Sequence, residues 1–347
     1  MRTQLLSVLS LLVSLGCSSA DTDREQPNLG KPFHYPSDGE LRLSDVQVRG
    51  THNSYHVDTH AGSVEAWAYT HAPLYDQLDR LGIRQIELDV FFDEQDGLQV
   101  QHVPFLDTGT RCKQFSDCLS EIRRFSDAYP GHFPIYVQIE PKADVPESDM
   151  ESFFAKLEGE ILAAFPRERI LTPDEVQADF PTLPAALKTR GWPLLQTLLR
   201  GRVFFAFDTT GPLRTAYTHK LRDLHGRLLF VDSSPTDSFA AVAVLNDPQD
   251  PAGVMNIGKA VRAGLLVRSR ADADTKEARV SDTSRGQAAL SSGAHFISTD
   301  YPEPVSGFSY HFEVPGGKPA RCNPVTAPKN CTPLALEDPA FVGSANP

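Results

Sequence analysis

The sequence predicts an α/β fold, a single-domain eight-stranded parallel barrel of the TIM type, and three observations predict it. Short β-branched or aromatic runs alternate with helix-compatible stretches along most of the 347 residues. No glycine-rich phosphate loop follows the first run, which weighs against a doubly wound open sheet, the structural alternative. Charged and polar residues recur just where the runs end, and barrels of this kind build their sites at the C-terminal strand ends.

The elements follow in chain order. Met1-Arg2, an apolar run over 5–15, Gly16-Cys17-Ser18-Ser19-Ala20 and the charged stretch from Asp21 form an export signal over 1–20. The run is about half of the ~20 apolar residues a bilayer span needs, and no later run reaches that length, so no transmembrane helix is expected. Two processing routes are open. One cuts after Ala20; the other lipidates Cys17 behind Ser14-Leu15-Gly16, with Ser where Leu is usual. The protein is thus expected outside the cytoplasm, secreted or lipid-anchored at the envelope through Cys17. Residues 21–42, with Pro27, Gly30, Pro32 and Pro36, read as a linker, 43–313 as the catalytic barrel and 314–347 as a Pro-rich tail with a disulfide loop.

Within the barrel, strands are expected at 46–48, 85–91, 98–101, 135–139, 203–207, 228–231, 241–245, 264–267 and 295–298. Helices are expected at 72–81, 118–128, 150–164, 183–187 and 284–292. Asp96-Gly97 is a turn signal, so 98–101 reads as a hairpin partner of 85–91, leaving eight strands for the barrel.

The formal net charge of -12 argues against nucleic acid as a partner and against a broad electrostatic grip on anionic lipid. A monomer is expected. Beside Cys17, the cysteines form two close pairs, Cys112 with Cys118 and Cys322 with Cys331. In an exported chain these read as disulfides; buried thiols are the alternative, and the spacings do not suit a zinc knuckle.

The strand ends carry the chemistry. His52 and Asn53 follow the first strand, Glu87 and Asp89 close the second, Glu140 and Lys142 close the next barrel strand, and Asp208, Asp232, Arg268 with Arg270, and Asp300 close later ones. Glu87 and Asp89 are two apart in a strand and share a face, where like charges repel unless a cation or proton intervenes. With Glu140 and the Asn53 carbonyl they make an all-oxygen set suited to calcium or magnesium rather than zinc. The bland alternative is a strand edge with a Glu140–Lys142 salt bridge. His52 and His102 are the candidate proton handlers. His52 and His56 lie four apart, but Gly50-Thr51 and Ser54 read as a loop rather than a zinc-binding helix. Lys142, Arg268 and Arg270 could meet phosphate or sugar hydroxyls, although the two arginines could equally compensate Asp272 and Asp274. Tyr301, Phe308 and Tyr310 could stack on a polyol ring or belong to the core.

Arg49-Gly50-Thr51-His52-Asn53-Ser54, Glu87-Leu88-Asp89-Val90-Phe91 and Gln138-Ile139-Glu140-Pro141-Lys142 resemble the secreted, calcium-dependent phosphoinositide-specific phospholipases C of bacteria. So do Arg268-Ser269-Arg270-Ala271-Asp272-Ala273-Asp274-Thr275, Ser298-Thr299-Asp300-Tyr301-Pro302 and the stretch from Gly317 to Pro324. The resemblance implies a phosphodiesterase barrel, calcium ligation by Asn53, Glu87, Asp89 and Glu140, and acid and base roles for His102 and His52. It implies a phosphoinositide lipid at a membrane surface as substrate, cleaved to diacylglycerol and a cyclic inositol phosphate. Two alternatives stay open. A glycerophosphodiester phosphodiesterase would use a similar site, but usually reads His-Arg-Gly at the first strand; the other is an exported polyol- or headgroup-binding protein without turnover.

Overall fold

Runs that are apolar on both faces become parallel strands, because both faces of such strands are covered. A computed structural model describes residues 35, 37–59, 63–93, 97–142, 145–195, 199–316, 319–333 and 336–337. The export signal, Cys17, most of the linker, Asp96, Gly317 and Lys318 lie outside the described residues.

The strands are β1 (Val46–Thr51), β2 (Gln85–Asp93), β3 (Gly97–Val100), β4 (Ile135–Pro141), β5 (Val203–Phe207), β6 (Phe230–Val231), β7 (Val242–Val244), β8 (Leu266–Arg270), β9 (Phe296–Thr299) and β10 (Ala320–Cys322). Eight of them follow the order β6-β5-β4-β2-β1-β9-β8-β7, parallel throughout. One bridge, Asp232 to Val242, joins the two ends into a nearly closed barrel. The expected hairpin is present, with β3 antiparallel to β2. Strand β10, which the sequence did not single out, pairs antiparallel with β1.

The helices are α1 (Leu74–Asp79), α2 (Phe115–Ala128), α3 (Met150–Ala164), α4 (Pro173–Gln177), α5 (Leu183–Arg190), α6 (Gly211–Tyr217), α7 (Pro251–Arg262), α8 (Lys276–Val280) and α9 (Ser284–Ser291). Four of these, α4, α6, α7 and α8, escaped the apolar pattern. For α7 a start signal was present: Pro251 opens the helix, and the Asp250 carboxylate accepts from the amides of Ala252 (3.0 Å) and Gly253 (3.1 Å). Strand β8 begins later than expected and runs further. Gly264 takes φ +86° at the end of α7, so the chain becomes extended only beyond it, and Arg268 and Arg270 lie inside the strand.

Aromatic side chains plug the N-terminal half of the barrel. Tyr136 stacks on Phe204 at 5.1 Å and meets Phe296 at 4.5 Å, and Phe204 in turn meets Phe230. The carboxylates of β2 and β4, Glu87, Asp89 and Glu140, lie on the C-terminal side of this plug. Beneath the plug, Arg84 pairs with Glu337 (2.6 and 2.8 Å) and Arg200 with Asp38 (2.6 Å at both nitrogens), all four buried. The segments before β1 and after β10 are thus tied to the same face. Disulfides join Cys112 to Cys118 and Cys322 to Cys331, as the spacing predicts.

Candidate active site

The loop leaving β1 is stitched to β2 by Ser54, whose hydroxyl accepts from the Glu87 amide (2.8 Å) while its own amide donates to the Glu87 carbonyl (3.0 Å). Two backbone features make this approach feasible. A Cβ on Gly50 would lie 2.8 Å from Gln85 Cβ, closer than real Cβ atoms approach, so glycine lets β1 meet β2 here without displacement. Asn53 takes φ +43°, in the left-handed region that asparagine tolerates better than most residues.

Register supplies the rest of the cluster. Asp89 pairs with Glu140 across the β2–β4 ladder, and alternation puts Glu87 on the same face as Asp89. Carboxylate oxygens of Glu87, Asp89 and Glu140 lie within 4.8 Å of one another. Among the described residues, neither oxygen of Asp89 nor Oδ1 of Asn53 accepts a hydrogen bond of good geometry, and all three atoms are buried. Burial first, and then the charges of Glu140 and Glu87, raise the Asp89 pKa well above the ordinary carboxylate range, although Lys142 acts against them. Buried oxygens without hydrogens to accept, on Asp89 and the Asn53 amide, beside the carboxylates of Glu87 and Glu140, fit a hard divalent cation.

Lys142 lies beside this cluster, its Nζ 2.7 Å from Glu140 and 3.2 Å from Asp89. Burial opposes its charge, and the two carboxylates outweigh that effect and raise its pKa. Arg268, fully buried, donates to Glu87 and to Asn246. Arg270 pairs with Asp300 at 3.0 Å and donates to His52 Nε2 at 3.3 Å. Neither arginine is a solvated partner of Asp274, which pairs with Lys276 instead. Tyr301 is 1 % exposed, in a small core with Phe308 and Tyr310, and its hydroxyl donates to the Ala68 carbonyl. Tyr301 also lines a pocket with His71 and Asp300.

His52 Nδ1 donates to Asp300 Oδ1 at 2.8 Å, which leaves Nε2 to accept from Arg270. Burial first, and then the Arg270 charge, hold its pKa well below 6.5, so the ring is neutral near pH 7. The His52 carbonyl accepts from His71 Nε2 (2.9 Å), and Asp300 leans on buried Asp272, whose Oδ1 accepts from the Asp300 amide (2.8 Å). His102 lies beyond β3, edge-on to Trp67 at 5.6 Å. Its Nδ1 donates to Asp107 Oδ2 at 2.8 Å; burial lowers its pKa, and Asp107 partly restores it. His56 reaches the same Asp107 oxygen at 2.8 Å.

The Asp208 side chain accepts from Gln138 (2.9 Å), and burial followed by repulsion from Asp232, Glu140 and Glu87 raises its pKa to about 8. Asp232 caps the β6–β7 junction, its Oδ1 accepting from the Val244 amide (2.8 Å). Sequence reasoning missed Asp107, His71 and Tyr69, and it set His56 aside. These residues sit in irregular loops, where no periodicity says which way a side chain faces; the one signal was an aspartate five residues after His102. The turn from Val103 to Asp107 also carries the most exposed apolar side chains near the site, Phe105 (99 % exposed) and Leu106 (62 %).

A family model described as phosphoinositide phospholipase C, Ca2+-dependent, matches residues 41–99 and 94–324. Among solved structures, the fold is similar to a calcium-dependent phosphoinositol-specific phospholipase C from a Gram-negative Pseudomonas species, with TM-score 0.56 and 16 % identity over 86 % of this chain and 100 % of that one. It is also similar to a Ca2+-dependent phosphatidylinositol-specific phospholipase C from Streptomyces antibioticus, with TM-score 0.51 and 19 % identity over 76 % and 95 % of the two chains. No curated protein matches the sequence significantly.

Proposed function

The chain belongs to the family of Ca2+-dependent phosphoinositide phospholipases C, and from that premise we propose that it cleaves phosphatidylinositol at a membrane surface in a calcium-dependent reaction. The products are diacylglycerol and a cyclic inositol phosphate that is then hydrolysed. The observation that carries this reading is the cluster of Glu87, Asp89 and Glu140, with buried unsatisfied oxygens on Asp89 and on Asn53 in the loop stitched to Glu87, and with His52 and His102 near enough to feel the charges of Glu87 and Lys142.

In this reading those four residues hold calcium, which when bound lowers the pKa of the attacking hydroxyl and neutralises charge on the phosphoryl oxygens. His52, neutral and oriented by Asp300, takes the proton of the inositol 2-hydroxyl at Nε2. His102 gives a proton to the departing glycerol oxygen. Lys142 meets the phosphate, Arg270 holds His52 and reaches a sugar hydroxyl, and Arg268 fixes Glu87. Phe105 and Leu106 enter the lipid surface beside the site. The chain is exported, as two disulfides support, and is either cleaved after Ala20 or lipidated at Cys17.

Product analysis of the purified protein on phosphatidylinositol, phosphatidylcholine and glycerophosphodiesters, with calcium and after verified chelation, tests this directly. Cyclic inositol phosphate formed from phosphatidylinositol alone, and lost on chelation, is the expected result. Cleavage of the soluble diesters instead, full activity without metal, or headgroup binding with no turnover would each overturn it.

A further inference from the structure

The turn over 103–107 is closed by two backbone hydrogen bonds between Val103 and Asp107, at 2.8 and 3.0 Å, and it turns Asp107 back under His102. Asp107 is fully buried although its loop is at the rim, and its Oδ2 accepts from two rings. One is His102 Nδ1. The other is Nε2 of His56, a buried ring whose Nδ1 lies 2.9 Å from the Tyr69 carbonyl and whose face packs on Tyr69 at 4.4 Å. His56 thus bridges the Tyr69 carbonyl and Asp107 and fixes Asp107 from behind. Two nitrogens and one oxygen this close could also suggest a metal. However, the 2.8 Å contacts are hydrogen-bond lengths, whereas tetrahedral zinc ligands at ~2.0–2.1 Å from the ion stand roughly 3.3 Å apart.

We infer that Asp107, anchored by His56, is a positioning residue for His102: it keeps the proton of the neutral ring on Nδ1 and turns Nε2 toward the scissile phosphodiester. The inference rests on the acid role proposed for His102. It adds that this acid depends on a carboxylate from its own loop, as His52 depends on Asp300 from β9. His102 acts as acid in its charged form: Nε2 gives its proton to the leaving oxygen, the ring falls to the neutral Nδ1–H form that Asp107 holds, and Nε2 regains a proton from the water that opens the cyclic phosphate in the next half-reaction.

Two measurements test it, one independent of turnover. In the calcium-loaded protein with 15N-labelled imidazoles, two-bond 1H–15N spectra should show His102 as the Nδ1–H tautomer, and Asp107→Ala should shift it toward Nε2–H. Asp107→Ala should also lower kcat on phosphatidylinositol by roughly 10²-fold with little change in KM. On an inositol aryl phosphodiester, whose leaving group needs no proton, the loss should be under about 10-fold, and Asp107→Ala combined with His102→Ala should be no slower than His102→Ala alone. A wild-type Nε2–H tautomer at His102, or equal losses on both substrates, would overturn the role of Asp107 even in an active phospholipase. The expected tautomer in a protein that cleaves no phosphatidylinositol would leave the Asp107 contact standing and remove the acid role built on it. Should Asp107→Ala not fold, the wild-type tautomer decides alone.

Discussion

Asp89 has its whole carboxylate inside the barrel, and the cost of ionising it there governs how the site responds to pH. Its pKa stands well above the ordinary 3.8, through burial first and neighbouring carboxylates second, so under the proposed ligand role calcium displaces a proton from it. A raised acid pKa means that affinity climbs with pH up to that value, and that binding releases protons in the same interval. Calorimetry in two buffers of different ionisation enthalpy should therefore count a released proton from weakly acidic conditions upward. No release, or affinity that weakens as pH rises, would show that Asp89 is already ionised without metal. The proposed ligand residues could be picked out in the sequence, because Glu87 and Asp89 alternate in a recognisable strand and the Asn53 and Glu140 blocks sit at strand ends. Their partners were not. His52 meets Asp300 across 248 positions, and nothing local to either residue announces the other.

Among the elements, the long apolar strands and amphipathic helices were readable, and the short pieces were not. β5 is apolar at every position and could hardly be anything else, whereas β6 is two residues long and exists because its neighbours hold it. α8, with five residues, forms because the chain around it is pinned, Thr275 donating to the Glu65 carbonyl at 2.6 Å. Pattern reasoning fails on such segments since tertiary contacts, not propensity, stabilise them. The turn that exposes Phe105 and Leu106 belongs to this class, and it has a measurable role. Phe105→Ser removes an apolar side chain that nothing in the folded protein buries, so stability should stay within experimental error. Affinity for phosphatidylinositol vesicles should fall roughly 10- to 100-fold, and cleavage of a soluble inositol phosphodiester should be unchanged. Equal loss on both substrates would mean that the turn acts on chemistry rather than on the surface.

At the scale of the whole molecule, the chain ends close the bottom of the barrel. Breaking a buried pair leaves an uncompensated charge, so Glu337→Ala, which strands Arg84, should lower stability by about 3–5 kcal/mol in urea unfolding. A loss below about 1 kcal/mol would show that Arg84 finds a substitute partner. The eight-strand ring was foreseeable from the alternation of elements, but not where the ring is weakest, since that depends on how the last turn of the sheet meets the first. The meeting point is β6 with β7, joined by one bridge and reinforced by Ser233 and Asp232; β1 and β2 also share a single registered pair, but there the Ser54 loop adds two hydrogen bonds to the Glu87 backbone. β2 and β4, which carry three of the four oxygen donors, share six registered pairs on the opposite arc. A cylinder with one open stave breathes at that stave. Slow deuterium uptake by the amides of β2 and β4, against early uptake at 230–244, would mean that the catalytic arc stays rigid while the far wall opens and shuts. Under the proposed function, the enzyme then gives way at its far wall to a bulky lipid headgroup without disturbing the geometry of the calcium ligands.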